Sequence, residues 1–176
     1  PTFKCDRDSL ANAMLYNGIE SINCGIKHGL PLFADLFIRA SYVSSNIEAF
    51  KHLHSVGCPW PDNMCTWLCQ APKGGFVEFL RFAHHHGCPW NPREVIETAA
   101  LSGEVKCFQY AHEQGCPWDV SVSVAAVRAH SLRCIKYAHK HNCPWDATTC
   151  AAAGRNLATL KYLHEIGCPW SVEAFS

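Results

Sequence analysis

A four-residue signature, Gly-Cys-Pro-Trp, returns at Gly57–Trp60, Gly87–Trp90, Gly115–Trp118 and Gly167–Trp170, with Asn142-Cys143-Pro144-Trp145 as a near-identical fifth copy. Successive signature cysteines, from Cys58 to Cys168, are 30, 28, 27 and 25 residues apart. A unit of that size cannot bury its own apolar face, so stacked neighbours must supply the core. The chain is therefore read as a repeat protein, whose function is expected on a long shared surface and not in one pocket. Stepping back 28 residues from Cys58 reaches Leu30, within Gly29-Leu30-Pro31-Leu32, which keeps the Gly and Pro. This marks a degenerate opening unit, as suits a terminal repeat with one face lacking a neighbour.

Apolar residues recur ten, seven and four positions before each Gly or its Asn substitute: Ile47, Phe50, Leu53; Val77, Leu80, Ala83; Val105, Phe108, Ala111; Leu132, Ile135, Ala138; Leu157, Leu160, Leu163. The spacing predicts one core-facing side of a helix of about three turns. The Gly ends that helix, because the position past a helix end commonly turns left-handed, a conformation that Gly adopts freely and Asn tolerates best among the others. The next residue folds back on the last turn, which puts Cys58 on Leu53, Cys116 on Ala111 and Cys168 on Leu163. Pro then blocks extension. Asn91, Asp119, Asp146 and Ser171 follow Trp90, Trp118, Trp145 and Trp170 as N-caps of the next helix, with Pro92 at its first position and Glu94 at its third in the clearest case.

Short loops inside the units are expected at Ser44-Ser45, Gly74-Gly75, Gly103 and Gly154, after small residues such as Ala99-Ala100 and Ala151-Ala152 that let helices approach closely. Each unit then reads helix, loop, helix, tight turn. Units end near residues 32, 60, 90, 118, 145 and 170, forming one domain over residues 1–176, while 171–176 start a further unit in what reads as a fragment of a longer chain. With helices about 8–10 Å apart, six units would make a body roughly 60 Å long. Each Trp is expected between adjoining layers.

Composition narrows the chemistry. The formal net charge is zero and no run of 18 apolar residues or secretory leader is visible, which argues against membrane insertion. Twelve cysteines and eleven histidines include five in-register His-x-x-x-Cys pairs: His54 with Cys58, His84 with Cys88, His112 with Cys116, His139 with Cys143 and His164 with Cys168. Equivalent cysteines of successive units should lie roughly 10 Å apart. A disulfide requires Cα atoms within about 7 Å, and zinc needs its ligands about 2.0–2.3 Å from one ion, so buried free thiols and no metal are expected. A reducing intracellular setting, cytoplasm or nucleus, follows. His84-His85-His86 point in different directions on a helix and cannot share one ion. Cys65-Thr66-Trp67-Leu68-Cys69 lacks redox spacing and reads as packing. No nucleophile elbow, phosphate loop or His-Glu-x-x-His occurs, so the segment is read as non-enzymatic, without cofactor or small-molecule substrate. Lys51, Arg81, Lys136 and Lys161 share a register, but Gln109 interrupts it and Glu48, Glu78 and Glu165 flank it, which argues against nucleic acid.

Glu97-Thr98-Ala99-Ala100-Leu101-Ser102-Gly103, followed by a second helix and Gly115, resembles the ankyrin repeat, in which Ala-Ala-x-x-Gly joins two antiparallel helices. The match is best from Trp90 to Trp170. Cys116–Asp119 and Cys143–Asp146, where Asp follows Cys-Pro-Trp, look like the divergent ankyrin repeats of giant DNA viruses, algae and oomycetes. The resemblance implies an all-α, ankyrin-like solenoid of about six short helix-loop-helix repeats. Ankyrin units run to about 33 residues with a protruding turn; the shorter period here predicts reduced or absent β-hairpin fingers. Tetratricopeptide-like pairing is the alternative fold.

The expected function is a protein-protein interaction module that holds its partner on a concave face made of first helices. Candidate partner-binding residues are Arg39, Glu94, Glu97, Leu101 and Arg128, with Lys73 and Arg155 near the intervening loops. Charged members would make rim contacts, and Leu101 would act as an anchor. Two alternatives stay open: a structural subunit of a larger complex such as a virion or organelle assembly, and the substrate-recruiting part of a ubiquitin-ligase adaptor.

Overall fold

The structure, a computed structural model, describes residues 18–43, 47–70, 76–154 and 156–169. Helix α1 covers residues 18–27. It is followed by α2 (Asp35–Val43), α3 (Glu48–Ser55), α4 (Met64–Gln70), α5 (Val77–His85), α6 (Pro92–Ser102), α7 (Val105–Glu113), α8 (Val120–Arg128), α9 (Leu132–Lys140), α10 (Ala147–Ala151) and α11 (Leu157–Glu165). The fold is all-α, with no strand among the described residues. Ser44-Ser45, Lys73, Gly74-Gly75, Arg155, Trp170 and Ser171 lie outside those residues.

Each signature turn is built as its residues demand. Gly57, Gly87, Gly115 and Gly167 have φ of 78°, 76°, 78° and 70°, and Asn142 takes the same left-handed conformation at 58°. Two backbone bonds close every copy: Gly57 N–H donates to the His54 carbonyl and Cys58 N–H to that of Leu53, both at 3.0 Å. The same pair of bonds recurs at Cys88, Cys116, Cys143 and Cys168, and also at Gly29-Leu30 of the degenerate unit, where Leu30 N–H reaches the Gly25 carbonyl. This is the Schellman arrangement, which satisfies carbonyls that a helix end otherwise leaves open. The cysteine side chain returns to the core, and Cys58, Cys88, Cys116, Cys143 and Cys168 are all buried. Cys58 Sγ donates to the Phe33 carbonyl at 3.5 Å and Cys143 Sγ to the Asp119 carbonyl at 3.7 Å. The thiol thereby ties the end of a hairpin to its own beginning. Burial raises the pKa of Cys58 and Cys143 to about 12, which keeps both thiols protonated.

The capping residues act as expected at three sites. Asn91 accepts from Glu94 N–H and Asp119 from Ser121 N–H, while Asp146 and Thr149 form a reciprocal capping box. Gly103 and Gly154 turn left-handed after the first helices. His130 does so after α8, at φ 51°, without any Gly to announce it.

The chain divides into two compact units. The first, Pro1–Met64 with Glu78–Pro89, holds α1, α2, α3 and nearly all of α5; the second, Cys65–Val77 with Trp90–Ser176, holds the rest. In the first, Phe50 meets Phe37 and Phe79 edge-on at 4.8 and 5.1 Å. Trp60 stacks on Phe37 at 4.1 Å and donates its indole N–H to the His86 carbonyl at 3.2 Å, joining elements before and after its turn. In the second, α6 packs on α7 and α8, and α8 on α9 and α10, while α11 meets α9 through Tyr162 and His139. First helices α6, α8 and α10 form one layer, and second helices α7, α9 and α11 the other. Trp118 lies against Phe108 at 5.3 Å and His112 at 4.2 Å on its own hairpin and Tyr137 at 6.3 Å on the next. Such aromatic pairs contribute roughly 0.5–1.5 kcal/mol each beyond area burial.

Two expectations need correction. The core-facing side of the second helices lies eight, seven and four positions before the turn, as in Cys107, Phe108, Ala111 and Cys134, Ile135, Ala138. Residues at position ten sit at the helix start, where no preceding turn covers them; Val105 and Leu132 are half-buried and Leu157 is 64% exposed. The turn cysteines are also not uniformly free, because Cys168 is bonded to Cys150 on α10 with Cα atoms 6.6 Å apart. Spacing between equivalent cysteines ruled out bridges along the stack, but this bridge joins two different positions of one hairpin. It sits at odds with a uniformly reduced set of thiols.

Two stability predictions follow from these turns. No heavy atom lies within 4 Å of a Cβ added at Gly115, so Gly115→Ala should cost about 1 kcal/mol in urea unfolding from left-handed strain alone. Asn142→Gly should be neutral or stabilising, and a loss there of the size seen at Gly115 would contradict the assignment. The second concerns His112, whose pKa is lowered by burial and by neighbouring His141, with Glu113 opposing. The unfolded chain then takes up this proton at higher pH than the folded one, so its contribution is lost as pH falls through the ordinary value of 6.5 toward the lower folded value. Melting temperature should drop across that range, and His112→Asn should flatten the dependence.

Candidate functional site

Because α6, α8 and α10 each begin two residues after a Trp, their starts come together side by side. Arg93 stands three residues after Trp90, Ser121 three after Trp118 and Thr148 three after Trp145. Arg93 at the start of α6 pairs with Asp119, the cap of α8, at 2.9 Å, and its Nε reaches Glu97 at 3.2 Å. Past the other ends of these helices, Ser131 Oγ donates to the Gly103 carbonyl at 3.2 Å. The two helices therefore run in the same direction. Ser123 and Thr149 share a buried hydroxyl contact at 3.0 Å that aligns the starts of α8 and α10.

A concavity of about 300 Å³ opens across these helices. Glu97 and Leu101 line it from α6, one turn apart, and Thr148 from α10. Its floor is α8, with Val120, Ser121, Val124 and Ala125, ending at Arg128. Leu101 is 53% exposed on a helix whose Val95, Ile96, Ala99 and Ala100 are completely buried, so it offers apolar surface to the concavity. The Ser121 hydroxyl lies 2.5 Å from both Glu97 Oε1 and Asp119 Oδ1 and donates its single proton to one of them. That hydroxyl holds the Asp119 carboxyl below its usual range, helped by the Ser121 amide and Arg93 against a desolvation push upward. One end of the groove is thus a bonded carboxylate–hydroxyl cluster and the other pairs an exposed Leu with an exposed Arg.

The structure gathers Glu97, Leu101 and Arg128 in one place. Glu94 is exposed one turn before Glu97 on α6. Arg39 lies half-buried on α2 in the other compact unit, and Lys73 and Arg155 are outside the described residues. The groove also uses Val120, Ser121, Val124, Ala125 and Thr148, which sequence reasoning missed. Their signal was available in the register: three, six, seven and ten residues after a Trp fall at Ser121, Val124, Ala125 and Arg128. Among the described residues no group of three or more His, Cys, Asp or Glu could hold a metal ion. No helix among them is long and apolar enough to cross a membrane. Comparison with protein-family models, curated proteins and solved structures finds no match.

Asp119→Ala should lower stability at neutral pH by about 1 kcal/mol in urea titrations, and Asp119→Asn by less, because an amide oxygen still caps α8. Since the folded-state pKa is depressed, the wild-type advantage over Ala should be present above 3.8 and fade as pH falls through the folded value. An advantage constant to strong acid would show that the carboxylate charge is irrelevant.

Proposed function

We propose that this chain is a non-catalytic protein-interaction module of ankyrin-repeat type that contacts a partner protein through its first helices. The observation that carries this reading is the meeting of Leu101, Arg128 and Glu97 on one concavity built wholly from α6, α8 and α10. An exposed apolar anchor bordered by charge is the usual anatomy of a protein-binding patch. Burial also disarms three signature thiols as nucleophiles, since Cys58, Cys116 and Cys143 are pushed up to about 12, 11 and 12. Within this reading the cysteines serve the turns and the histidines the Trp contacts, leaving the first-helix face for recognition.

Site-specific photocrosslinking tests the proposal. A crosslinking residue at Leu101 should capture a partner protein from the native source, and one at exposed Lys140 on second helix α9 should not. Capture from Lys140 alone would move the interface to the opposite layer and overturn the reading, as would turnover of a substrate by the isolated chain.

A further inference from the structure

We infer that the groove on α6, α8 and α10 takes a protein segment that presents a large apolar side chain beside a carboxylate. The apolar side chain would lie against Leu101, Val124 and Ala125, and the carboxylate would pair with Arg128. This rests on the interaction-module reading and specifies the chemistry of its partner.

Charge decides the polarity of the occupant. The groove's own carboxylate, Glu97, already receives Arg93 Nε and neighbours the Ser121 hydroxyl, and nearby Asp119 receives Arg93 Nη2 and Ser121 N–H. Their charge is largely answered within the chain. Arg128 differs: it is exposed, lines the groove, and forms no hydrogen bond or ion pair among the described residues. A free guanidinium offers a planar fork that matches a carboxylate with two parallel N–H···O bonds. A basic segment would gain little from compensated Glu97 and would meet Arg128 with like charge. Nucleic acid would bring phosphates past Glu97 and Asp119, with one cation, Arg128, among the described lining residues to hold them.

Shape decides the rest. Leu101 and Arg128 lie in the last turns of two parallel helices, so they occupy the same end of the groove. A volume of about 300 Å³ is at the bottom of the range of small-molecule sites, ~300–1,000 Å³, and suits one or two side chains of a longer segment. An apolar residue covering Leu101 would also exclude water from the Arg128 pair, strengthening it.

A displayed library of random linear peptides, selected on the intact chain, provides the test. Selected peptides should share Asp or Glu adjacent to Leu, Ile, Met or Phe. Synthetic copies should bind roughly tenfold or more weakly to Arg128→Glu and to Leu101→Asp. Arg128→Lys should recover part of the loss, because it restores charge without the fork. Selection repeated on Arg128→Glu should yield Lys or Arg where the acid stood, a reversal that a merely structural role cannot produce. Matching melting temperatures would certify that the variants fold. Peptides without an acidic residue, no enrichment at all, or displacement of the peptides by a single-stranded oligonucleotide would each overturn the inference. Capture of a partner at Leu101 combined with acid-free peptides would leave the module standing and remove only this chemistry.

Discussion

Everything in this protein depends on a pair of backward hydrogen bonds at the end of each second helix. The left-handed Gly or Asn bends the chain so that the next amide reaches the carbonyl five residues earlier, as Cys116 N–H does to Ala111 at 3.1 Å. That one bend settles three later events. It buries the cysteine, it aims the following Pro away from helix, and at Trp60 and Trp118 it delivers the indole to aromatic and imidazole rings of two successive hairpins. Without the bend α7 would continue past Gln114, Trp118 would face water, and Asp119 would not be placed to start α8.

The groove inherits its geometry from these turns. Since α6, α8 and α10 each start two residues after a Trp, their first turns lie side by side, and changes of residue type from one helix to the next create a site. Arg93, Ser121 and Thr148 are equivalent positions whose differing chemistry turns a packing seam into a charged and hydroxylated edge. Likewise Leu101 falls where the last turn of α6 clears the core, so its side chain is left to solvent without disturbing Ala99 or Ala100 behind it. A repeated scaffold thus carries a non-repeated surface.

Legibility in the sequence followed the physics of each feature. Helix ends were plain because few residues tolerate a left-handed backbone, and Asn142 was recognisable as the permitted exception. The N-caps at Asn91, Asp119 and Asp146 were equally plain, since short polar side chains in that position have one strong local use. His130 was hidden: it adopts the same left-handed conformation after α8 with no residue type to betray it, held by the bond from its N–H to the Val127 carbonyl at 2.9 Å. The core-facing side of the second helices was misjudged by a fraction of a turn because the Cys107 and Cys134 positions look neutral beside Val105 and Leu132. α8 follows its Asp119 cap against local preference, as Val120-Ser121-Val122-Ser123-Val124 alternates with the period of a strand and is helical through its packing on α6, α9 and α10. The Cys150–Cys168 bridge escaped because it joins non-equivalent positions. Of the groove, Glu97, Leu101 and Arg128 were legible, whereas Ser121, Thr148 and the apolar floor were not, since Val124 and Ala125 look like any core residues.

The central claim is that the cysteine amide of every signature is a bonded donor. Hydrogen–deuterium exchange read residue by residue by NMR measures this directly at Cys58, Cys88, Cys116, Cys143 and Cys168. The account predicts strong protection at all five amides, with Cys143 after Asn142 protected like those that follow Gly. Exchange of these amides at the rates of an unstructured peptide, while neighbouring helical amides stay protected, would contradict it.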